Sequence, residues 1–207
     1  MNSLVTIGEF TSEWEEIESG VPQGSVLGPI LFVIFINDLL QRIKYEGKLF
    51  ADDTKLLGII KSEMDNIGLQ EDLDILKEWT DDWQIKFNSL KCKVLYYGKK
   101  NPKYEYRIDD IIVEESKVEK DLGIYITNDV NWNHHINYSI NKANKQLGRI
   151  KHAFEYIDEY IIGLLYKSLI RPHLEYGAVI WNPHWQNEID RLEKVQNRAT
   201  KIFSLKG

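Results

Sequence analysis

Two adjacent carboxylates, Asp52 and Asp53, stand between two short apolar segments, Lys48 to Phe50 and Leu56 to Ile60, which places them at the tip of a β-hairpin. One helix's length ahead of them lies a glycine-bounded loop, Gly20-Val21-Pro22-Gln23-Gly24. Paired acids behind such a loop suit magnesium-dependent phosphoryl transfer. Mg2+ prefers hard oxygen ligands and takes one or two carboxylates, with water and substrate phosphates completing its shell. A two-metal site holds its ions about 3.5–4 Å apart, so the acids must bridge them. Side chains alternate along a strand, so Asp52 and Asp53 diverge unless a tight turn splays them toward one space, and one of them is the better ligand. Taken alone, Asp-Asp before Thr54 equally suits a polar turn, because Asp bonds its own backbone there. A second pair, Asp109-Asp110, has no such loop and helix before it and is assigned to a turn without metal.

The elements that must hold these groups read as an α+β chain. Leu4 to Ile7 and Trp14 to Glu18 suggest a short hairpin, and Gly28-Pro29 opens a helix predicted to run to about Tyr45, with Gly47 ending it. Leu69, Leu73, Leu76, Trp79 and Trp83 recur at helical spacing, which predicts an amphipathic helix from about Glu63 to Trp83 with both tryptophans in the core. Strands are predicted at Lys91 to Tyr97, Glu105 to Ile108, Ile111 to Val113 and Leu122 to Ile126, with Cys92 as a small buried strand residue.

Beyond Asn131 the pattern turns helical. Ile136, Ile140, Ala143, Leu147, Ile150 and Phe154 form one apolar stripe; Ile189, Leu192, Val195, Ala199 and Ile202 form another. Lys142, Lys145 and Arg149 share one helix face, and Arg191, Lys194, Arg198 and Lys201 share a second. Either set serves as a solvated face or as a phosphate-contacting one. His134-His135 lacks the i, i+4 spacing that a helix uses for zinc and suits a loop or cap. Tyr176, Trp181 and Trp185 are expected to pack the bundle.

At 207 residues and 43% hydrophobic content the chain can bury a core. Its one cysteine excludes an internal disulfide framework and suits a reducing compartment. No signal peptide opens the chain, and its longest apolar run, Ile30 to Ile36, is far short of the roughly 18 residues that span a bilayer, so a soluble intracellular protein is expected. The net charge of −6 argues against a freestanding electrostatic binder of nucleic acid. That charge is uneven: residues 1–130 carry 15 Lys+Arg against 25 Asp+Glu, and residues 131–207 carry 11 against 7, so phosphate contact falls to the second part.

Ser19-Gly20-Val21-Pro22-Gln23-Gly24-Ser25-Val26-Leu27-Gly28-Pro29-Ile30-Leu31-Phe32, then Ile36-Asn37-Asp38-Leu39, then Phe50-Ala51-Asp52-Asp53, resembles the reverse transcriptases of non-LTR, LINE-like (jockey-type) retrotransposons in order and spacing. The likeness continues through Lys86-Phe87-Asn88-Ser89-Leu90-Lys91-Cys92-Lys93 and Lys120-Asp121-Leu122-Gly123-Ile124, similar to the family's lysine-bearing segment and primer-grip hairpin. Even Tyr166 to Trp185 and Leu192 to Phe203 read like the region downstream, so the resemblance covers essentially the whole chain.

The resemblance implies a partial polymerase palm over residues 1–130, an antiparallel sheet with helices, followed by a helical thumb-like region over 131–207. It implies Asp52 as a metal ligand with Asp53 as its partner, Mg2+ or Mn2+ as cofactor, and RNA template, DNA primer and deoxynucleoside triphosphate as partners. Pro22, Gln23 and Gly24 would line the pocket for template and nucleotide, and Lys91, which otherwise reads as a solvated lysine, would lie near the triphosphate. The family also carries fingers and a further catalytic aspartate upstream. The 19 residues before Gly20 hold no Asp, and their glutamates, Glu9, Glu13, Glu15, Glu16 and Glu18, are not placed as that ligand. The expectation is therefore a palm and thumb portion with little or no polymerising activity by itself. The alternative is a non-catalytic nucleic-acid-binding or interaction module that retains Asp52 and Asp53 as relics.

Overall fold

The computed structural model describes residues 2–16, 24–85 and 87–201. The chain divides into two compact units, Met1–Asn88 with Arg107–Ile111, and Ser89–Tyr106 with Ile112–Gly207. Mixed helix and strand make the chain α+β.

In the first unit, β1 (Asn2–Ser3) pairs antiparallel with β4 (Glu15–Glu16), and β2 (Thr6–Ile7) pairs with β3 (Phe10–Thr11) inside it. Helix α1 (Gly28–Ile36) starts with Pro29 in its first turn, where a missing N–H costs nothing, and Ser25 Oγ accepts the Gly28 N–H at 3.0 Å. It ends nine residues before the predicted Tyr45. After Ile36 the chain tightens into i→i+3 turns, with Leu39 N–H donating to the Ile36 carbonyl at 3.1 Å. That winding buries Leu39 and lets Asp38 Oδ1 accept the Trp79 Nε1–H at 3.1 Å.

Strands β5 (Glu46–Phe50) and β6 (Asp53–Leu57) form an antiparallel hairpin in which Phe50 lies opposite Asp53. Helix α2 (Glu63–Asp82) follows closely the predicted span. Its start is fixed by Asp65, whose Oδ2 accepts the N–H groups of Lys61 at 2.9 Å and Ser62 at 2.8 Å. Ile36, Leu39, Leu76 and Trp79 make the core, with Phe32, Phe35, Leu49 and Leu56 packed on it. Trp83, predicted as core, is 49% exposed at the end of α2, although its ring still meets Phe35 edge-on.

In the second unit, β7 (Lys93–Val94) is far shorter than the predicted strand and leaves Cys92 half-buried just outside it. Strands β8 (Arg107–Ile108) and β9 (Ile111–Ile112) flank the Asp109-Asp110 turn, in the stretch Arg107–Ile111 that belongs to the first unit. β10 (Glu114–Glu115) pairs parallel with β7, and β11 (Val118–Asp121) pairs antiparallel with β12 (Ile124–Thr127). Leu122 (φ +44°) and Gly123 (φ +91°) form the two-residue loop of that second hairpin, both left-handed as the right-handed twist of the strands demands.

Helices α3 (Asn133–Ala153), α4 (Glu159–Leu165), a π-helical turn at Tyr166–Ile170, α5 (Arg171–Glu175), α6 (Ala178–Trp181) and α7 (Gln186–Thr200) complete the chain. Ala143, Leu147 and Ile150 of α3 meet Val195 and Ala199 of α7 in one core, as the two stripes predict. Phe154 ends α3 partly exposed, and Ile202 lies outside the described residues. Of the three aromatic residues expected to pack the bundle, only Trp181 is buried; Tyr176 and Trp185 are exposed. Among the described residues no helix is long and apolar enough to cross a membrane.

Candidate active site

The hairpin that carries the acid pair is positioned from below. Along β5 exposure alternates, with Gly47 and Leu49 turned inward and Glu46, Lys48 and Phe50 outward, so the strand shows one face to the core. Gly47 allows a close approach: a Cβ there would lie 2.6 Å from Leu40 and 2.7 Å from Ile43 side-chain carbons. The start of β5 is pinned by a group that the sequence pattern did not single out. Asp72, 1% exposed on α2, accepts the backbone N–H groups of Lys44 at 2.8 Å and Tyr45 at 2.6 Å.

At the tip, Ala51 and Asp52 make a two-residue loop in which Ala51 takes a left-handed φ of +51°. Asp53 opens β6 opposite the outward-facing Phe50. Asp52 in the turn and Asp53 on the outer face are both exposed, and among the described residues neither carboxylate has a hydrogen bond or ion pair. Thr54, the next residue, turns inward, and its Oγ1 is buried without a hydrogen-bond partner among the described residues. Two uncompensated hard-oxygen groups on a braced turn can take a divalent cation that completes its shell with water and phosphate.

The other predicted site residues are placed as follows. Pro22 and Gln23 lie outside the described residues, and Gly24 is an exposed residue at φ +81° ahead of α1. Lys91 lies exposed in a turn of the second unit. On α3, the Lys142 ammonium stands 4.9 Å from the Tyr138 ring centroid, with Lys120 at 5.4 Å from the same ring. Lys142 first, and then Lys120, hold the Tyr138 phenol below its usual range. Arg149 donates to Gln146 at 3.3 Å, and Lys145, Lys194 and Lys201 are exposed.

Arg191 and Arg198 differ from a solvated row. Arg191 donates to Asn133 Oδ1 at 3.2 Å and to Asn137, and Arg198 donates to Asn144 Oδ1 at 2.9 Å, so both guanidinium groups stitch α7 to α3. Asparagine acceptors at spacings of four and seven on α3 were the legible signal for that seam.

His134 and His135 occupy the first turn of α3, past its N-cap residue Trp132, rather than a loop or the cap position. His135 is buried, its Nδ1 accepts the Tyr125 N–H at 3.2 Å, and its Nε2 lies 3.3 Å from Ser139 Oγ. An accepting Nδ1 requires the neutral ring, and burial first, then the neighbouring His134, holds its pKa below the usual histidine value. Among the described residues no three His, Cys, Asp or Glu groups gather as a metal centre.

The family model described as reverse transcriptase (RNA-dependent DNA polymerase) matches residues 2–143, well over half of the chain. The chain belongs to the reverse transcriptase family. This reverse transcriptase chain is 25% identical over 213 residues to the RNA-directed DNA polymerase from mobile element jockey of Drosophila melanogaster, covering 97% of the chain and 23% of the relative. It is 26% identical over 200 residues to the probable RNA-directed DNA polymerase from transposon X-element of the same species, covering 91% of the chain and 22% of the relative. With the probable enzyme from transposon BS it shares 25% identity over 205 residues, or 91% of the chain and 22% of the relative. The chain thus spans less than a quarter of the length of these relatives. No solved structure matches it.

Proposed function

We propose that the chain is the palm and thumb portion of a retrotransposon RNA-directed DNA polymerase, with residues 1–130 as partial palm and 131–207 as thumb-like region. The observation that carries this reading is the exposed Asp52-Asp53 pair on a hairpin braced by Asp72, in a chain whose family match spans that hairpin. Reverse transcriptases normally use divalent metal ions, and the donor set fits: two unpaired carboxylates are the hard ligands that Mg2+ or Mn2+ takes. Asp52 and Asp53 would hold the metal. A metal held there would supply a lower barrier to attack by the primer 3′-hydroxyl and neutralisation of the leaving pyrophosphate.

The chain's own residues then divide the work of binding. Gly24 permits close backbone approach, and Pro22 and Gln23, whose amide can both donate and accept, would line the pocket for template and nucleotide. Lys91 offers a point charge to the triphosphate. Lys142, Lys145, Arg149, Lys194 and Lys201 meet primer–template phosphates, which contributes affinity without sequence choice. Arg191 and Arg198 serve that surface indirectly by setting α7 against α3.

The test is primer extension on poly(A)–oligo(dT) with Mg2+ or Mn2+, comparing this chain with one extended upstream, and Asp52→Asn is made in the extended chain. Asp52→Asn is expected to lower extension by about 100-fold or more, in line with loss of a group that acts in the transition state. Because Asp52 is exposed at a turn, its melting curve should stay within about 0.5 kcal/mol of the parent. Undiminished extension by Asp52→Asn overturns the metal assignment.

A further inference from the structure

A cleft of about 240 Å3 in the second unit lies where the loop after β12 meets the start of α7, and Asp129, Asn131, Trp132, His184, Trp185 and Glu188 line it. Nothing in the polymerase reading uses it. Glu188 stands in the first turn of α7, is 4% exposed, and has no side-chain hydrogen bond or ion pair among the described residues. A glutamate at this helix position commonly reaches back to the N-cap backbone, but here only the Glu188 backbone N–H bonds Trp185, donating to its carbonyl at 3.0 Å. The carboxylate oxygens are not sealed in the interior and open on the cleft.

The carboxylate has no protein partner among the described residues, and it stands at the N-terminal, positive end of α7. A second charge faces the same space. Asp129 Oδ1 accepts the Thr127 hydroxyl at 2.6 Å and the Asn131 N–H at 3.2 Å, and that hydroxyl first of all holds its carboxyl below the usual range. The nearest cation on the helix, Arg191, one turn on from Glu188, is committed to Asn133 and Asn137. Val130 holds a left-handed φ of +55° between Asp129 and Asn131, so the loop is kept in one shape by the Thr127 bonds. Indole walls complete the cleft, with Trp185 73% exposed. Since no three-ligand metal cluster forms among the described residues, the cleft suits a larger cation than a metal ion.

We propose that this cleft binds an organic cation of the guanidinium or alkylammonium type, the end of an arginine or lysine side chain, through the charges of Glu188 and Asp129 and the faces of Trp185 and Trp132. Aromatic faces attract such cations, and a planar guanidinium both stacks on indole and pairs with carboxylates.

The experiment is calorimetric or NMR titration of the full chain with arginine amide, lysine amide and citrulline amide at low salt, using the parent, Glu188→Gln and Trp185→Ala. Expected are saturable binding of at least one of the two cations and none of neutral citrulline. Affinity should fall at least tenfold in Glu188→Gln and several-fold in Trp185→Ala. A preference for arginine assigns the stacked guanidinium, and a preference for lysine the ammonium. The melting point of Glu188→Gln should not drop, because the carboxylate supports no contact of the fold. The proposal is overturned by absence of saturable binding, by equal binding of citrulline, by unchanged affinity in Glu188→Gln, or by a lowered melting point of that variant.

Discussion

Asp72 shows how much of this chain's organisation hangs on single buried groups. Its carboxylate satisfies two backbone donors at the start of β5, so it stands directly under the strand that leads to Asp52 and Asp53. Asp72→Asn replaces one accepting oxygen by a donor and sets an NH2 against a backbone N–H. The expected cost is about 2–3 kcal/mol, since a buried group left without its partner loses its full desolvation. Urea melts of parent and variant measure it. His135 gives a pH dependence of known sign. Its folded pKa is depressed, so the stability it contributes is complete above the ordinary histidine value of about 6.5 and is lost as pH falls through the folded value. Melting temperature should therefore decline from about pH 7 toward pH 5, and His135→Gln should flatten that decline. Asp52 and Asp53 were legible in the sequence because a dipeptide between two apolar strands needs only local pattern. Asp72 was not, since its partners lie 28 and 27 residues away and no local period marks them.

Among the elements, α2 matches its predicted span almost to the residue. Its 20 residues hold a clean helical period, and Ser62 with Asp65 fixes the start. The end of α1 departs from expectation: after Ile36 the chain tightens into i→i+3 turns, in which Asp38 accepts the Trp79 indole N–H. The strands predicted between Lys91 and Ile126 shrink to two to four residues because each pairs with only one neighbour, and the pattern of apolar residues carries no information about where pairing stops. The β11–β12 hairpin makes a direct test of turn chemistry. Gly123 has φ +91°, and an added Cβ would lie 2.9 Å from the Tyr176 ring, whose hydroxyl donates to the Leu122 carbonyl at 2.8 Å. Gly123→Ala meets both backbone strain and that ring, so a loss of about 1–3 kcal/mol is expected by thermal or chemical melting.

At the scale of the whole molecule, the helical stripes of α3 and α7 and the strands β11 and β12 belong to one unit, because Ile124 of β12 shares a core with Ile136 and Trp181. Leu147, buried where α3 meets α7, is the place to weaken that unit. Leu147→Ala should cost about 2–5 kcal/mol, read as loss of hydrogen-exchange protection in α3 and α7. The residues of α1 expose a different property: Ile30, Leu31, Val33 and Ile34 are exposed although the helix is apolar on every side. The sequence by itself determined the acid pair at a hairpin tip, the amphipathic helices and the family likeness, because motif, period and residue order are local properties written along the chain. Only the tertiary structure decided that Asp72 braces the hairpin, that Arg191 and Arg198 tie helices together, and that Glu188 faces a cleft without a partner. Those outcomes depend on which buried donors and acceptors meet across the fold, and that meeting is set by packing rather than by neighbours in sequence.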